Sequence, residues 1–182
     1  MIEIRKTFTD NGTCGMGFLA MGGVRAAKRD ALARERAALE SALREALSPL
    51  SRAARKALHP MDAYVEYDRK FGYSYHVLGQ LESVLKGKEI PDALPPVAAM
   101  FMTELKNMIL TAGHDLDKVD GALTVARADG IETYEAMGGR TATTVIGDVL
   151  VRDQTSILSS ILRGPDGRTA IGQQSAVVDE VT

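Results

Sequence analysis

Residues 112–121, AGHDLDKVDG, concentrate the side chains of this sequence that are best suited to chemistry. The stretch holds three aspartates, one histidine and one lysine within ten positions. Such a set suits a metal loop, a catalytic cluster or an acidic connection between a helix and a strand. These three kinds of segment need different neighbours, so ligand spacing and the flanking elements have to distinguish them.

The spacing argues against a bound metal. A calcium loop carries oxygen ligands at its first, third and fifth positions, glycine at the sixth and glutamate at the twelfth. Counted from Asp115, Asp117 fits the third position, but the fifth, sixth and twelfth residues are valine, aspartate and alanine. His114 and Asp115 alone are too few ligands for a zinc site. We therefore expect no metal here.

A glycine-rich stretch near the start of the sequence is the other candidate for a cofactor. Gly15-Met-Gly-Phe-Leu-Ala20 matches the loosest form of the dinucleotide-binding fingerprint, which should follow a buried strand and open the helix of a βαβ unit. The preceding strand alternates with charged residues, no βαβ unit follows, and no Gly-Lys-Ser/Thr of a phosphate loop is present. We expect no cofactor, with these glycines joining a strand to a helix.

The hydrophobic periodicity predicts the elements around these segments. After a strand over 2–8, apolar residues recur at helical spacing, with breaks at Pro49 and Pro60 and two short helices that meet near Gly72. A mainly apolar helix over 97–110 ends this half of the sequence. The segments ALTVARA, ETYEAM, VIGDVLV, SILSSIL and AVVDEV are then typical of short strands, with a turn at GPDG.

This order, helices first and strands second, predicts one α+β domain over 1–182, with a helix-rich N-terminal half and a strand-rich C-terminal half. AGHDLDKVDG then connects the last helix to the first core strand. Asp115 and Asp117 either cap a short helical turn or line a site at the rim, and the residues leave both roles open.

Length and composition indicate an ordinary globular protein. The sequence has 182 residues, of which 45% are hydrophobic and 25% charged. Cys14 is the only cysteine, so no internal disulfide can form, which fits a reducing cytoplasm. The first residues lack the apolar stretch of a signal peptide, and no run approaches the roughly 18 apolar residues of a membrane span. We expect a cytoplasmic protein without a membrane partner.

The charge is unevenly distributed, although the net charge is only -2. Residues 25–59 hold nine Lys or Arg and four Asp or Glu, a net charge of +5 on an otherwise acidic sequence. This basic segment either contacts a nucleic acid or forms the solvated face of a helix.

The order of motifs from residue 60 onward resembles a known family. YDRKFG at Tyr67–Gly72 is followed by LESVLKGKEIP, a buried helix, GHDLDKVDG, VARADGIETYEAMGG, GDVLVRD and SSILRGPDGRTAI. This ordered set is similar to the editing (B-three/four) domain of the bacterial phenylalanine–tRNA ligase beta subunit, and especially to its stand-alone members. The resemblance covers 60–172 and leaves 1–59 as an N-terminal strand, a glycine-rich loop and basic helices. It implies a three-layer β-β-α sandwich.

The resemblance also implies an activity, that of a trans-editing deacylase, which hydrolyses the ester of a wrongly attached amino acid on tRNA. Glu132 and His114 would be the catalytic residues. Glu132 matches the glutamate of the family's Gly-Glu pair, with Ile131 in place of the glycine. Gly113 and Asp115, on either side of His114, match a Gly-Tyr-Asp that lines the family's pocket.

Further substrate contacts are implied on the last helix. Phe101 stands where the family has asparagine, and Glu104 and Asn107 would supply polar groups in its place. The expected partners are a mischarged tRNA and a small amino-acid ligand, bound by a monomer or a homodimer. Basic residues of the first half would contact tRNA phosphates: Arg25, Lys28, Arg29, Arg52, Arg55 and Lys56.

Two alternatives to editing stay open. A module that kept the fold and lost the reaction would bind a free amino acid or a related small molecule, and the loss of the family's asparagine at Phe101 favours it. A structural or interaction protein would instead use the long amphipathic helix of the basic segment as a partner surface.

Overall fold

The computed structural model describes residues 2–9, 14–23 and 29–175. These residues form five helices, a mixed five-stranded sheet and a two-stranded sheet, which confirms the expected mixture of helices and strands. The predicted last strand, AVVDEV, lies outside the described residues.

Two compact units make up the chain. One comprises Met1–Val24 and Ala112–Val177, and the other comprises Arg25–Thr111 and Val178–Thr182. We call them the β-sheet unit and the helical unit. The single domain over 1–182, with an internal boundary after residue 59, stays a prediction.

The helical unit contains all five helices of the described residues. They are α1 (Arg29–Leu47), α2 (Arg52–Lys56), α3 (Met61–Lys70), α4 (His76–Leu85) and α5 (Pro95–Asn107). The breaks between α1 and α2 and between α2 and α3 fall at Pro49 and Pro60, as predicted, because proline cannot continue a helix from the preceding turn. Gly72 follows α3 with a φ of 78° and so ends that helix.

A single apolar cluster forms the core of the helical unit. Leu43 and Leu47 of α1 pack with Met61, Leu81 and Leu105, all of them buried. The rings of Tyr64 and Tyr75 stack beside this cluster with centroids 4.7 Å apart. The apolar residues that recur at helical spacing in the sequence therefore face this core.

The helix expected over 97–110 differs from the prediction in extent and burial. It runs from Pro95 to Asn107, and Met108 ends it in the left-handed conformation with a φ of 58°. Its fully buried residues are Ala98, Glu104 and Leu105. The nearly continuous apolar composition predicted a helix that is buried on all sides. In the structure only one face of this helix is buried.

The β-sheet unit is built on five strands in the order β1-β2-β5-β6-β7. The strands are β1 (Ile4–Lys6), β2 (Leu123–Arg127), β5 (Val149–Arg152), β6 (Ile157–Ser160) and β7 (Gly164–Pro165). β1 pairs with β2 in parallel, and the other pairs are antiparallel. The strand expected over 2–8 is thus an edge strand, and its three residues are exposed.

A hairpin of β3 (Thr133–Ala136) and β4 (Arg140–Thr143) forms the second sheet of the β-sheet unit. The sequence pattern predicted β3 but not β4, because the β4 segment RTAT contains a single apolar residue, Ala142. The turn uses Gly138 and Gly139, both with positive φ, which is the backbone that a tight hairpin requires.

Both faces of the large sheet carry apolar side chains. Val125, Val149 and Leu158 belong to one buried cluster, while Leu150 and Tyr134 belong to another. Three consecutive residues of β5 are therefore buried. None of the described helices is long and apolar enough to cross a membrane.

Candidate functional site

The AGHDLDKVDG stretch builds a short 3-10 helix, Leu116–Lys118, and Asp115 caps it. Asp115 Oδ1 accepts a hydrogen bond from the Asp117 N–H at 3.2 Å. Its Oδ2 accepts a second one from Ser175 Oγ at 2.6 Å and lies 3.6 Å from Lys118 Nζ. The Ser175 hydrogen bond lowers the pKa of Asp115, although burial acts in the opposite direction. These contacts describe capping, one of the two roles that the sequence left open.

His114 precedes the cap and is held through one ring nitrogen. Its Nδ1 lies 2.7 Å from Thr169 Oγ1 and 3.5 Å from Asp166 Oδ1, and 16% of its side chain is exposed. Burial lowers the pKa of His114; Asp166 opposes the shift and Arg168 adds to it. The imidazole is therefore neutral near pH 7. No residue in the described part of the chain forms a hydrogen bond with Nε2.

A buried turn at 166–169 supplies the partners of His114. The Asp166 carboxylate accepts a hydrogen bond from the Thr169 N–H at 3.1 Å and another from the Thr169 hydroxyl. The Asp166 N–H donates to Leu158 O at 2.7 Å, which ties the turn to β6. Asp166 is 2% exposed and Thr169 is 0% exposed, so neither side chain is free to change conformation.

Arg168 fastens the same turn to two other segments. Its Nη2 donates to Asp153 Oδ2 and its Nη1 to Lys118 O, each at 2.6 Å. Asp153 also accepts hydrogen bonds from three backbone N–H groups, those of Asp120, Thr155 and Ser156. Burial raises the pKa of Asp153, but the hydrogen bonds outweigh burial and bring this pKa down to about 2. The ion pair between Arg168 and Asp153 therefore ties the turn at 166–169 to the segment that follows β5.

Glu132, the other residue predicted to be catalytic, forms an ion pair. Its Oε1 accepts a hydrogen bond from Arg152 Nη2 on β5, and its Oε2 accepts one from the Asp129 N–H at 3.0 Å. The Thr144 hydroxyl lies 3.5 Å from the same Oε2. No hydrogen bond among the described residues joins these partners to His114. The two predicted catalytic residues therefore belong to separate hydrogen-bond networks of the β-sheet unit.

The three substrate residues predicted on the last helix lie in α5 of the helical unit. Phe101 packs, half-buried, against the helical core. Glu104 is 4% exposed and accepts hydrogen bonds from the N–H and the hydroxyl of Thr111. Burial raises the pKa of Glu104, and the Thr111 hydrogen bonds oppose that shift. Asn107 is exposed and donates to Thr103 O of its own helix at 2.9 Å. Each residue thus has a role within the helical unit.

Of the six residues predicted to contact RNA, Arg25 and Lys28 lie outside the described residues. Arg29 begins α1 and is exposed. Arg52 donates to Glu82 at 2.7 Å, and Arg55 donates twice to Leu50 O. Lys56 has no ion-pair partner within 2–9, 14–23 and 29–175. Arg52 and Arg55 are therefore partly committed to the fold, while Arg29 and Lys56 are not.

One side of the AGHDLDKVDG segment lines a cavity of about 630 Å³ in the β-sheet unit. Leu116, Val119 and Gly121 contribute to its wall, together with Arg5 of β1 and the buried Asp153. His114, Gly113 and Asp115 do not line it. The resemblance implied a pocket lined by Gly113, His114 and Asp115, whereas this cavity is lined by Leu116, Val119 and Gly121 of the same segment.

The residues that surround His114 were not predicted from the sequence. Thr169, Asp166 and Arg168 belong to SSILRGPDGRTAI, a motif of the resemblance that contains a predicted turn and had no predicted role in the site. Their separation from His114 by more than 50 positions gives no spacing signal. In the part of the chain that the structure describes, no group of three potential metal ligands is found.

Comparison of the sequence with models of known protein families gave no match, and comparison with curated proteins gave no significant match.

Proposed function

We propose that this protein is an aminoacyl-tRNA deacylase that acts in trans, with His114 as the general base. The observation that carries the proposal is the state of the His114 ring: Nδ1 is held 2.7 Å from Thr169 Oγ1, burial keeps the imidazole neutral, and Nε2 has no partner among the described residues. A neutral imidazole with one unengaged nitrogen is the group best suited to remove a proton from water near pH 7.

The reaction needs no cofactor. Nε2 accepts a proton from water while the water oxygen attacks the carbonyl carbon of the aminoacyl ester. The bond between this carbon and the ribose oxygen then breaks, and the proton passes from the imidazolium to the leaving oxygen. The products are a free amino acid and a tRNA with its terminal hydroxyl restored. General-base assistance of this kind contributes about 10²- to 10⁴-fold in rate.

Glu132 has a second role in this proposal, as a contact for the ammonium group of the amino acid. The Glu132–Arg152 ion pair bears on that role, because an ammonium group would compete with Arg152 for Oε1. The carboxylate is fixed by the Asp129 N–H, so it is oriented before a ligand arrives. Asp115 would act through its cap, by holding the segment that carries His114.

The remaining features of the proposal come from the resemblance. The fold would be a three-layer β-β-α sandwich, the protein cytoplasmic, and the partner a mischarged tRNA whose phosphates meet the basic residues of the helical unit. Arg29 and Lys56 are the strongest candidates for these contacts, because neither forms an ion pair in the described part of the chain.

The test is deacylation of a panel of mischarged tRNAs by wild-type protein and His114→Gln. We expect release of one amino acid by wild type and a loss of at least about 100-fold in the variant. His59→Gln is the matched control, because His59 is 84% exposed and pairs with Asp62. No release from any substrate, or an unchanged rate in His114→Gln, would contradict the proposal.

The second candidate is a binding module of the same fold without catalysis. The separate hydrogen-bond networks of His114 and Glu132 favour it, because no described hydrogen bond couples the carboxylate that would hold the amino acid to the proposed base. A module of this kind would be stabilised by a free amino acid in the absence of tRNA, since ligand binding raises the unfolding temperature. Thermal unfolding with a panel of amino acids, on wild type and Glu132→Gln, separates the two candidates.

A further inference from the structure

Two polar groups beside His114, the Thr169 hydroxyl and the Asp166 carboxylate, determine which atom of each contact carries the proton. The Thr169 hydroxyl touches both the Asp166 carboxylate and His114 Nδ1. It carries one proton and therefore donates once. An ionised carboxylate only accepts, so the hydroxyl proton lies between Thr169 and Asp166. The contact between Thr169 and His114 then requires Nδ1 to be the donor.

The Asp166 carboxylate, which is the last acceptor in this series of hydrogen bonds, is held in place by its surroundings. The Asp166 carboxylate also accepts the Thr169 N–H at 3.1 Å, and the side chain is 2% exposed. Thr169 cannot turn its hydroxyl to water, because it is fully buried. The distance of 3.5 Å between His114 Nδ1 and Asp166 Oδ1 favours the same direction of donation, since the carboxylate attracts the Nδ1 proton.

We propose that Thr169 is a positioning residue that, anchored by Asp166, fixes the neutral His114 ring in the tautomer protonated at Nδ1 and thereby leaves Nε2 as the basic nitrogen. This inference rests on the proposed function for its consequence, which is that Nε2 is the atom that accepts the proton of water. It stands on geometry that is independent of any substrate. Thr169 does not touch the reacting atoms and acts through His114.

Burial and three charged groups set the pH range in which the His114 ring is neutral: Asp166 and Asp153 raise its pKa, and Arg168 lowers it. Asp166 and Arg168 come from the turn and Asp153 from the residue after β5, while Asp115 and Lys118 are charged residues of the 3-10 helix and its cap. Burial lowers the pKa of His114 below its usual 6.5. The activity should therefore fall only as the pH drops below that range, and the acidic limb of the rate profile reports the His114 ring.

The tautomer is directly measurable by ring ¹⁵N NMR without a substrate. The sequence contains three histidines, so His59→Gln and His76→Gln assign the remaining signals to His114. Above its titration we expect the His114 Nδ1 shift of a protonated nitrogen and the Nε2 shift of an unprotonated one. A wild-type ring protonated at Nε2 would overturn the inference.

Two substitutions test the role of the hydroxyl. Thr169→Val keeps the shape and removes the hydroxyl oxygen that accepts from Nδ1–H, whereas Thr169→Ser keeps the hydroxyl. We expect Thr169→Val to lose the Nδ1–H tautomer and at least about tenfold in deacylation, up to the roughly 10⁴-fold that a wrong tautomer costs a serine protease. Thr169→Ser should keep the tautomer and the acidic limb of the rate profile. If both variants keep the wild-type tautomer and rate, Thr169 does not position the ring.

The two proposals fail in distinguishable ways. The expected tautomer with no deacylation of any substrate would remove the proposed function and leave the role of Thr169 intact. Deacylation that depends on His114 but not on the Thr169 hydroxyl would remove the role of Thr169 alone.

Discussion

Asp153 shows at the scale of a single residue how a carboxylate can join several segments. It accepts hydrogen bonds from Asp120 on one side and from Thr155 and Ser156 on the other, and Arg168 adds the turn at 166–169. Glu132, the acid that was predicted to be catalytic, is ion-paired, whereas Asp153 had no predicted role. A sequence shows which residues are acidic, but the hydrogen bonds that engage them come from distant segments.

The lowered pKa of Asp153 predicts an acid-dependent loss of stability. Because its folded-state pKa of about 2 lies below the ordinary value, its contribution is complete above about pH 4 and is lost as the pH falls towards 2. A shift of this size corresponds to about 2 kcal/mol. Denaturant unfolding of Asp153→Asn should show lower stability at neutral pH and a weaker dependence on pH between 4 and 2. Asp92→Asn, at an exposed aspartate, is the control and should change neither quantity.

His114 and Asp115 illustrate the limit of prediction at this scale. Their residue types and position between a helix and a strand were sufficient to select them. The distinction between cap and site was beyond the sequence, because it depends on Ser175, 60 positions away.

A substitution at Asp115 separates these two roles. Asp115→Asn keeps an acceptor for the Asp117 N–H, whereas Asp115→Ala removes it and should lower the free energy of unfolding by about 1 kcal/mol. For a cap, the deacylation rate of folded protein should be the same in wild type and Asp115→Asn. A large rate loss in a stable Asp115→Asn would instead place the carboxylate in the reaction.

At the scale of elements, the positions of prolines and glycines allowed helix boundaries to be predicted from the sequence. Pro49, Pro60 and Gly72 marked helix boundaries correctly, because each acts through its own backbone. β4 was missed because its fit depends on pairing with β3 rather than on its own pattern. The lengths of β1 and α5 differed from expectation for a related reason, since neighbours decide where pairing and burial stop.

Gly121, between the 3-10 helix and β2, gives a prediction at this scale. Its φ is 71°, and a Cβ there would lie 2.5 Å from Gln154 Nε2. Gly121→Ala should lower the free energy of unfolding by about 1–2 kcal/mol for the backbone alone. Adding Gln154→Ala should relieve the contact but not the backbone cost, as measured by denaturant midpoints.

Gly79 provides the matched control for that experiment. It lies in α4 without a positive φ, and a methyl group added there would meet open space. Gly79→Ala should therefore be neutral or stabilising by up to about 1 kcal/mol. A Gly121→Ala variant as stable as Gly79→Ala would show that neither the backbone nor the contact constrains position 121.

At the scale of the whole molecule, charge is the property that the sequence describes best. The basic segment 25–59 was evident from residue counts alone. Counts do not show which charges are already paired, and the structure distinguishes Arg52 and Arg55, which have partners, from Lys56.

The proposed tRNA contact should depend on salt through Arg29 and Lys56, which form no ion pair among the described residues. Each lysine or arginine that contacts a phosphate contributes about 0.7–0.9 to the slope of log affinity against log salt. We expect Lys56→Ala and Arg29→Ala each to reduce this slope by about that amount. Lys70→Ala is the control, because Lys70 is exposed on α3 and pairs with Glu66. A slope that all three variants leave unchanged would remove the helical unit from the tRNA contact.

The parallel pairing of β1 with β2 has a consequence for biosynthesis. Thr7 bonds to Val125 across 118 positions, so β1 leaves the ribosome well before its partner exists. At roughly 5–20 residues per second, that interval is on the order of 10 s. During this interval the helices α1–α5, which have their own apolar core, are synthesised. β1 remains without its partner strand throughout, with its backbone hydrogen-bonding groups unpaired. β1 is therefore unable to join its sheet until β2 has been made, about 118 positions later.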